Sequence, residues 1–274
     1  LATLVFMNLE EDPEGEFEVK GERYREMDLQ IIDTGYGLER FCWAAAGTPT
    51  IYESIYPETV AWLRKASGFD TTLAGMENVD ADLLLGELSR LAGILNIDVG
   101  TDVAPLYDKL LERLAIRGVN LTLDELKSIA EPLAAIYAIP DHMHALCNML
   151  GDALVPSNVK AGYLARMLAR RTLRMRDSLG IDMTLAELGA HHFEHNLDVS
   201  GFVQTREGIL AILDLEEQRY SEMLRAGEAA VRTALRDVPA KAGEVDDAVL
   251  FQLAETRGLQ PDMVVELARR LGWP

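Results

Sequence analysis

Residues Ile31–Arg40 read I-I-D-T-G-Y-G-L-E-R, and this stretch decides how the fold is interpreted. A short apolar run ends at Asp33, and two glycines follow within four residues. From Leu38 onward apolar residues recur at helical spacing. The pattern predicts a strand that stops at Asp33, a tight glycine turn, and a helix that begins at Leu38.

The same stretch has the chemistry of a ligand site. Gly35 and Gly37 carry no Cβ, so a flat ligand could lie against the main chain there. Arg40 lies one turn into the predicted helix, where its planar, permanently charged guanidinium suits a phosphate, and the helix N-terminus favours the same anion. A plain glycine turn with a surface arginine would give the same pattern.

The whole decamer resembles the third signature motif of class II aminoacyl-tRNA synthetases, in the form D-T-G-x-G-L-E-R of alanyl-tRNA synthetases. The resemblance implies ATP against Gly35 and Gly37, a phosphate of ATP on Arg40, and the substrate's amino group near Asp33. Asp33 and Arg40 are therefore the expected catalytic residues.

The residues before this motif predict an antiparallel sheet. Residues 1–9 have strand character, and residues 17–24 read as a hairpin that turns at Gly21 and leads into the strand at 29–33. By resemblance this is the end of a class II catalytic sheet. Its first strand would line the amino-acid pocket, with Thr3 and Val5 joining Asp33 and Gly35.

Composition excludes several classes of protein. The formal charge of −19 argues against a general nucleic-acid coat protein, because such proteins are usually basic. Two cysteines, Cys42 and Cys147, make no disulfide framework, which fits a reducing, cytoplasmic setting. No apolar run approaches the ~20 residues that a membrane span needs.

After Arg40 the sequence is almost wholly helical. Helices are predicted at 60–65, 82–95 and 104–116, and two capping boxes, Thr122 with Glu125 and Thr184 with Glu187, mark two further helix starts. The predicted fold class is α+β. The resemblance implies three parts: the end of a catalytic domain at 1–60, a helical segment packing on it at 61–139, and a helical tRNA-recognition domain at 140–274.

Positive charge is concentrated between residues 153 and 176, where six basic residues occur and no acidic one. Arg166, Arg170 and Arg174 recur every four residues and share one helix face, which suits a phosphate backbone. The apolar side is predicted to consist of Leu164, Met167, Leu168 and Leu173. The alternative is that these arginines pair with the protein's own acids.

Residues 140–176 resemble the start of the tRNA-recognition region of alanyl-tRNA synthetases, most closely the archaeal form. The resemblance implies that Pro156-Ser157-Asn158 presents an amide to the acceptor stem, where Asn158 reads the G·U wobble pair of alanine tRNA. An amide suits a base edge because it both donates and accepts. The expected tRNA-binding residues are Asn158, Lys160, Tyr163, Arg166, Arg170, Arg171, Arg174 and Glu255.

Two later blocks complete the resemblance. Residues 210–227 match a long family helix, whose acids and arginines we interpret as a solvated, self-paired face. Residues 253–263 align with a segment in which a carboxylate helps to read the wobble pair, and Glu255 takes that role by resemblance.

Two histidine groups are not interpreted as sites. His191, Glu194 and His195 spell H-x-x-E-H, a pattern of some zinc peptidases, but a polar helix end explains it better. His142, His144 and Cys147 fit helix packing at least as well as a cysteine–histidine pair. We expect no metal site and no zinc in this chain.

The chain is thus identified as resembling a fragment of an archaeal-type alanyl-tRNA synthetase, which uses ATP and Mg2+ and acts on alanine and the acceptor stem of tRNA(Ala). The missing N-terminal catalytic segment would lie upstream, and editing or oligomerisation domains could follow. We therefore expect the 274-residue chain alone to be inactive. A non-catalytic paralogue acting as an RNA-binding module is the alternative, and an acidic helical scaffold is a third interpretation.

Overall fold

The structure, a computed structural model, describes residues 2–70, 81–92, 104–198, 200–236, 247–257, 259 and 261–272. Within them the predicted small antiparallel sheet and mostly helical remainder are confirmed. The elements are β1 (Ala2–Glu11), β2 (Phe17–Val19), β3 (Glu22–Tyr36), α1 (Leu38–Ala46), α2 (Ile51–Ile55), α3 (Pro57–Ala66), α4 (Ala81–Ala92), α5 (Ala104–Ile116), α6 (Leu123–Gly151), α7 (Lys160–Ser178), α8 (Leu185–His195), α9 (Arg206–Ala234), α10 (Asp247–Arg257) and α11 (Pro261–Arg270).

The chain separates into two compact units, Leu1–Ile55 and Tyr56–Pro274. The first contains the sheet, α1 and α2, and the second is helical. Helix α6 runs without interruption through residue 140. The division at 60 and 139 that we drew from the sequence remains a prediction.

In the sheet, the strand order is β1-β3-β2 and both pairings are antiparallel. The predicted hairpin is present: Val19 pairs with Glu22, so Lys20 and Gly21 form a two-residue turn. Both turn residues have positive φ, 55° and 90°, which is the backbone that such tight hairpins require. The sequence had indicated only Gly21 as the turning residue.

Strand β3 does not stop at Asp33, and that part of the prediction was wrong. The strand continues through Thr34 and Gly35 to Tyr36, which pairs with Ala2. Pairing along β1 keeps these residues extended, although the local sequence favours a turn. The helix begins at Leu38 as predicted, so the turn shrinks to Gly37, the N-cap residue, at φ −80° and ψ 103°.

Helix α6 forms the centre of the helical unit. It begins at the predicted capping box, in which Thr122 and Glu125 each bond to the other's backbone N–H. Its buried side chains pack against α3, α5, α7, α8 and α9. The largest of those that are fully buried are Leu126, Ile129, Ile136, Ile139, Met143, Leu146 and Leu150.

The other predicted helices fall close to their expected places. Helix α5 spans 104–116 as predicted and buries Leu110 and Leu114, and α8 starts with the predicted box of Thr184 and Glu187. Helix α4 begins one residue earlier than predicted, and residues 93–95 lie outside the described residues. In the part of the chain that is described, no helix is both long and apolar enough to cross a membrane.

The buried face of α7 differs from the prediction. Leu173 is buried, but Leu164 is 45% exposed. Small side chains face the neighbouring helices instead, because α7 packs closely against α6 and α9. The buried residues of α7 are Gly162, Ala165, Ala169, Thr172 and Leu173.

Candidate functional site

The pairing of β1 with β3 brings together the four residues expected at the amino-acid site. Thr3 lies opposite Gly35, and Val5 lies opposite Asp33. Side chains two residues apart on a strand share a face, and directly paired residues share it too. All four therefore lie on one face of the sheet, where Val5 and Asp33 are exposed.

Helix α1 follows this ladder after a single connecting residue, Gly37. Arg40 is the third residue of α1, and its backbone N–H donates to the Gly37 carbonyl at 3.0 Å. A Cβ at Gly37 would lie 3.1 Å from Cδ of Arg40, so a side chain there would crowd the arginine stem. A Cβ at Gly35 would meet no atom of the described residues within 4 Å. The main chain at Gly35 is therefore open to a ligand.

The loop that carries Asn158 is tied to the first turn of α7. The Ser157 backbone N–H donates to the Gly162 carbonyl at 2.9 Å, and the Ser157 hydroxyl bonds to the Val159 carbonyl at 3.1 Å. A Cβ on Gly162 would lie 2.2 Å from Ser157 Oγ, so only glycine allows this approach. Asn158 itself is exposed.

The guanidinium of Arg166 joins this loop to α9. Its Nε donates to Glu216 Oε1 at 2.9 Å, and its Nη2 lies 3.4 Å from Glu216 Oε2 and 3.3 Å from the Pro156 carbonyl. Its Nη1 donates to Asn158 Oδ1. Glu216 is only 2% exposed and the Arg166 side chain 14%, so the pair is largely removed from water.

Two more basic side chains of α7 also turn towards acids of the protein. Arg170 Nε is 3.8 Å from Glu216 Oε1, and burial lowers the pKa of Arg170. Arg176 bonds to Glu217 at 2.5 Å and to Asp177 at 2.6 Å. For these residues the geometry matches the interpretation in which the arginines pair with the protein's own acids.

The remaining residues predicted to bind tRNA are more exposed to solvent. Lys160 and Tyr163 are exposed at the start of α7, while Arg171 and Arg174 are half-buried further along it. Glu255 belongs to α10, but its side chain lies outside what the structure describes. Its role in reading the wobble pair therefore stays a prediction.

Glu216 is the residue that sequence reasoning missed. We interpreted the acids of residues 210–227 as a solvated face, but Glu216 is buried and pairs with α7. A signal was present in the sequence: Glu216 falls at three- and four-residue spacing from Leu213 and Tyr220, on the buried stripe of α9. A glutamate on an apolar stripe needs a cationic partner.

The histidines lie where α3, α6 and α8 meet. His144 Nδ1 is 3.2 Å from His192 Nε2, and His195 Nδ1 is 3.0 Å from Glu58 Oε2. Glu194 pairs instead with Arg206 at 3.2 Å. Burial, with smaller contributions from neighbouring histidines, lowers the pKa of His192 to about 4.

Cys147 lies near these histidines in sequence but is fully buried. Burial raises the pKa of its thiol to about 12, which keeps it protonated and unreactive at neutral pH. Among the described residues, no group of three or more histidine, cysteine or acidic side chains has the arrangement of a metal site.

Comparison with known proteins finds matches over nearly the whole chain. Residues 6–273 match the family model described as "tRNA synthetases class II (A)". The chain is 43% identical over 272 residues to the alanine–tRNA ligase of Methanothrix thermoacetophila, 40% over 269 residues to that of Natronomonas pharaonis, and 40% over 274 residues to that of Halobacterium salinarum. These matches cover 98–99% of this chain but only 27–29% of each relative. The chain thus spans less than a third of the length of these curated relatives.

Proposed function

The chain belongs to the class II tRNA synthetases, and from that premise we propose that it forms part of an archaeal-type alanine–tRNA ligase acting in the cytoplasm. The observation that carries the proposal is the β1–β3 ladder, which gathers Thr3, Val5, Asp33 and Gly35 on one face beside the helix of Arg40. Archaeal relatives named alanine–tRNA ligase support the choice of alanine. No comparison favours the alternative of a non-catalytic paralogue.

The ladder would serve the activation of alanine by ATP. The carboxylate of Asp33 would hold the ammonium group of alanine, and Val5 opposite it would contact the small apolar side chain. ATP would lie against the open main chain at Gly35, with one of its phosphates on Arg40. Catalysis of this kind depends on positioning and on charge neutralisation rather than on a protein nucleophile.

Mg2+ fits the described residues less well than ATP does. The ion prefers several oxygen ligands in octahedral geometry. Within the described ranges no cluster of three or more acidic, histidine or cysteine side chains could hold it. Mg2+ would therefore arrive on the phosphates of ATP.

The helical unit would bind the acceptor stem of tRNA(Ala). Asn158 is exposed at the end of a loop that is held in place by Ser157 and Arg166. Lys160, the first residue of α7, and Tyr163, about one turn further along, are exposed and would contact the backbone of the stem. A solvent-facing amide beside a lysine and a tyrosine suits an RNA edge better than it suits packing.

Kinetics of the whole ligase would test this assignment. Asp33→Asn should raise KM for alanine more than KM for ATP in alanine-dependent ATP–pyrophosphate exchange, because the substituted side chain loses the charge that attracts the ammonium group. Arg40→Lys should do the reverse, because lysine cannot bind phosphate with a planar fork. Equal effects of both substitutions on both KM values would overturn the assignment.

A further inference from the structure

All three guanidinium nitrogens of Arg166 donate to groups of the protein. Nε and Nη2 bond to the two carboxylate oxygens of Glu216, Nη2 also approaches the Pro156 carbonyl, and Nη1 donates to Asn158. A buried carboxylate bound by two N–H groups fixes the plane of the guanidinium. The Arg166 side chain is therefore held in one position by the protein and supports the loop of Asn158, rather than being a mobile cation free to bind a phosphate.

This support decides which way the amide of Asn158 points. A guanidinium offers donors only, so the amide has to accept from it through Oδ1. The N–H2 group, on the other branch of the amide, then points away from Arg166, and Asn158 is exposed. An amide that is free to flip would offer either a donor or an acceptor to a ligand. An amide held by Arg166 offers a donor.

We propose that Arg166, locked by buried Glu216, is a positioning residue that holds Asn158 with its N–H2 group outward, so that Asn158 reads an acceptor atom on a base edge. The consequence for specificity rests on the proposed function, in which Asn158 reads the acceptor stem. The geometry of the support itself does not depend on that function.

Arg176 provides a matched control within the same helix. Its side chain is 14% exposed, as is that of Arg166, and it pairs with Glu217, the neighbour of Glu216 on α9. It also bonds to Asp177 and to the Met183 carbonyl, and Asn158 is not among these partners. Arg176→Lys thus removes a similar guanidinium bridge without changing a contact of Asn158.

The first arm of the test is NMR of the side-chain amides of the full chain, with the Asn158 signal identified by its loss in Asn158→Asp. Arg166→Lys keeps the charge but cannot reach Glu216 and Asn158 together. We expect it to shift the Asn158 amide signals and to speed their hydrogen exchange, while Arg176→Lys leaves both unchanged. Unchanged Asn158 signals in Arg166→Lys would overturn the proposal whether or not the chain binds RNA.

The second arm measures binding to acceptor-stem hairpins that carry G·U or G·C at the discriminating pair. We expect Arg166→Lys to lose most of the preference for G·U, and Arg176→Lys to keep it. Asn158→Asp can still accept from Arg166 but has no N–H2 group, so it should lose the preference as well. Retention of the preference in Asn158→Asp, or equal loss in both lysine variants, would overturn the proposed reading. Absence of a preference in the unsubstituted chain would instead refute the proposed function.

Discussion

Val5 lies directly opposite Asp33 in the antiparallel ladder of β1 and β3, and Thr3 lies opposite Gly35 one step further along the same face. An apolar side chain and a carboxylate thus face solvent side by side. In the function proposed above, this pair would meet the ammonium group and the methyl group of alanine.

Gly35→Ala should separate stability from ligand binding. The added Cβ would meet no described atom within 4 Å, and glycine inside a strand costs roughly 0.5–1 kcal/mol relative to alanine. We expect the free energy of unfolding of the chain to stay level or to rise by up to about that amount. Alanine-dependent ATP–pyrophosphate exchange by the whole ligase should fall, because the Cβ would occupy the side on which we propose that ATP lies. A clear drop in Tm, or full activity, would contradict this account.

The 274-residue chain alone should not catalyse ATP–pyrophosphate exchange. Both faces of the ladder are exposed: Val5 and Met7 on one, Leu4 and Phe6 on the other. A catalytic site has to exclude water around the reacting groups, and these faces do not. The assay is exchange with alanine and ATP at high chain concentration, with the whole ligase as the positive control. Exchange above background that is abolished by Asp33→Asn would disprove the expectation.

Gly162→Ala should destabilise the chain, whereas Gly86→Ala should not. A Cβ at Gly162 would lie 2.2 Å from Ser157 Oγ and 2.7 Å from the Val155 carbonyl, so the loop has to move. Overpacking of this kind costs about 1–3 kcal/mol. Gly86 lies within α4 with no described atom within 4 Å of such a Cβ, so alanine there should add up to about 1 kcal/mol. Urea unfolding of both variants measures the difference, and a similar sign for both would be inconsistent with this loop geometry.

His192 should make stability depend on pH between about 6.5 and 4. It is 1% exposed, and burial lowers its pKa to about 4 in the folded chain, while the unfolded chain keeps the ordinary value near 6.5. Between these values the unfolded chain binds more protons, so stability falls as the pH is lowered. The loss amounts to roughly 3 kcal/mol over the full interval.

His192→Gln provides the comparison, because glutamine can still meet His144 but does not titrate. From pH 7 to pH 5 the variant should lose less stability than the parent chain, even if it starts from a lower value. Titrating carboxylates are common to both proteins and cancel in the difference. Parallel stability curves would show that His192 is not buried in its neutral form.

Local signals predicted part of this structure well. The capping box of Thr122 and Glu125 was readable from the sequence because its bonds join residues three apart. The helix start at Leu38 was readable for a similar reason, since glycine and a following apolar period mark the boundary. Each of these features depends on residues that are neighbours in the chain.

Other features depend on partners that are distant in sequence. Gly35 stays in the strand because it pairs with Thr3, although the local sequence favours a turn. Glu216 is buried because Arg166, fifty residues away, reaches it from α7. Regular spacing placed the arginines on one face of α7 but did not indicate whether that face met RNA or α9. Only the packing of the helices answers that for Arg166.

Recognition of the acceptor stem is tested by the affinity of the chain for two hairpins that differ only in G·U or G·C at the discriminating pair, measured over a salt series. We expect a preference for G·U of roughly tenfold or more, about 1.4 kcal/mol, at every salt concentration. Both affinities should fall as salt rises, because phosphate contacts release counterions. Equal affinities for the two hairpins, with the same dependence on salt, would contradict it and would leave only non-specific phosphate binding.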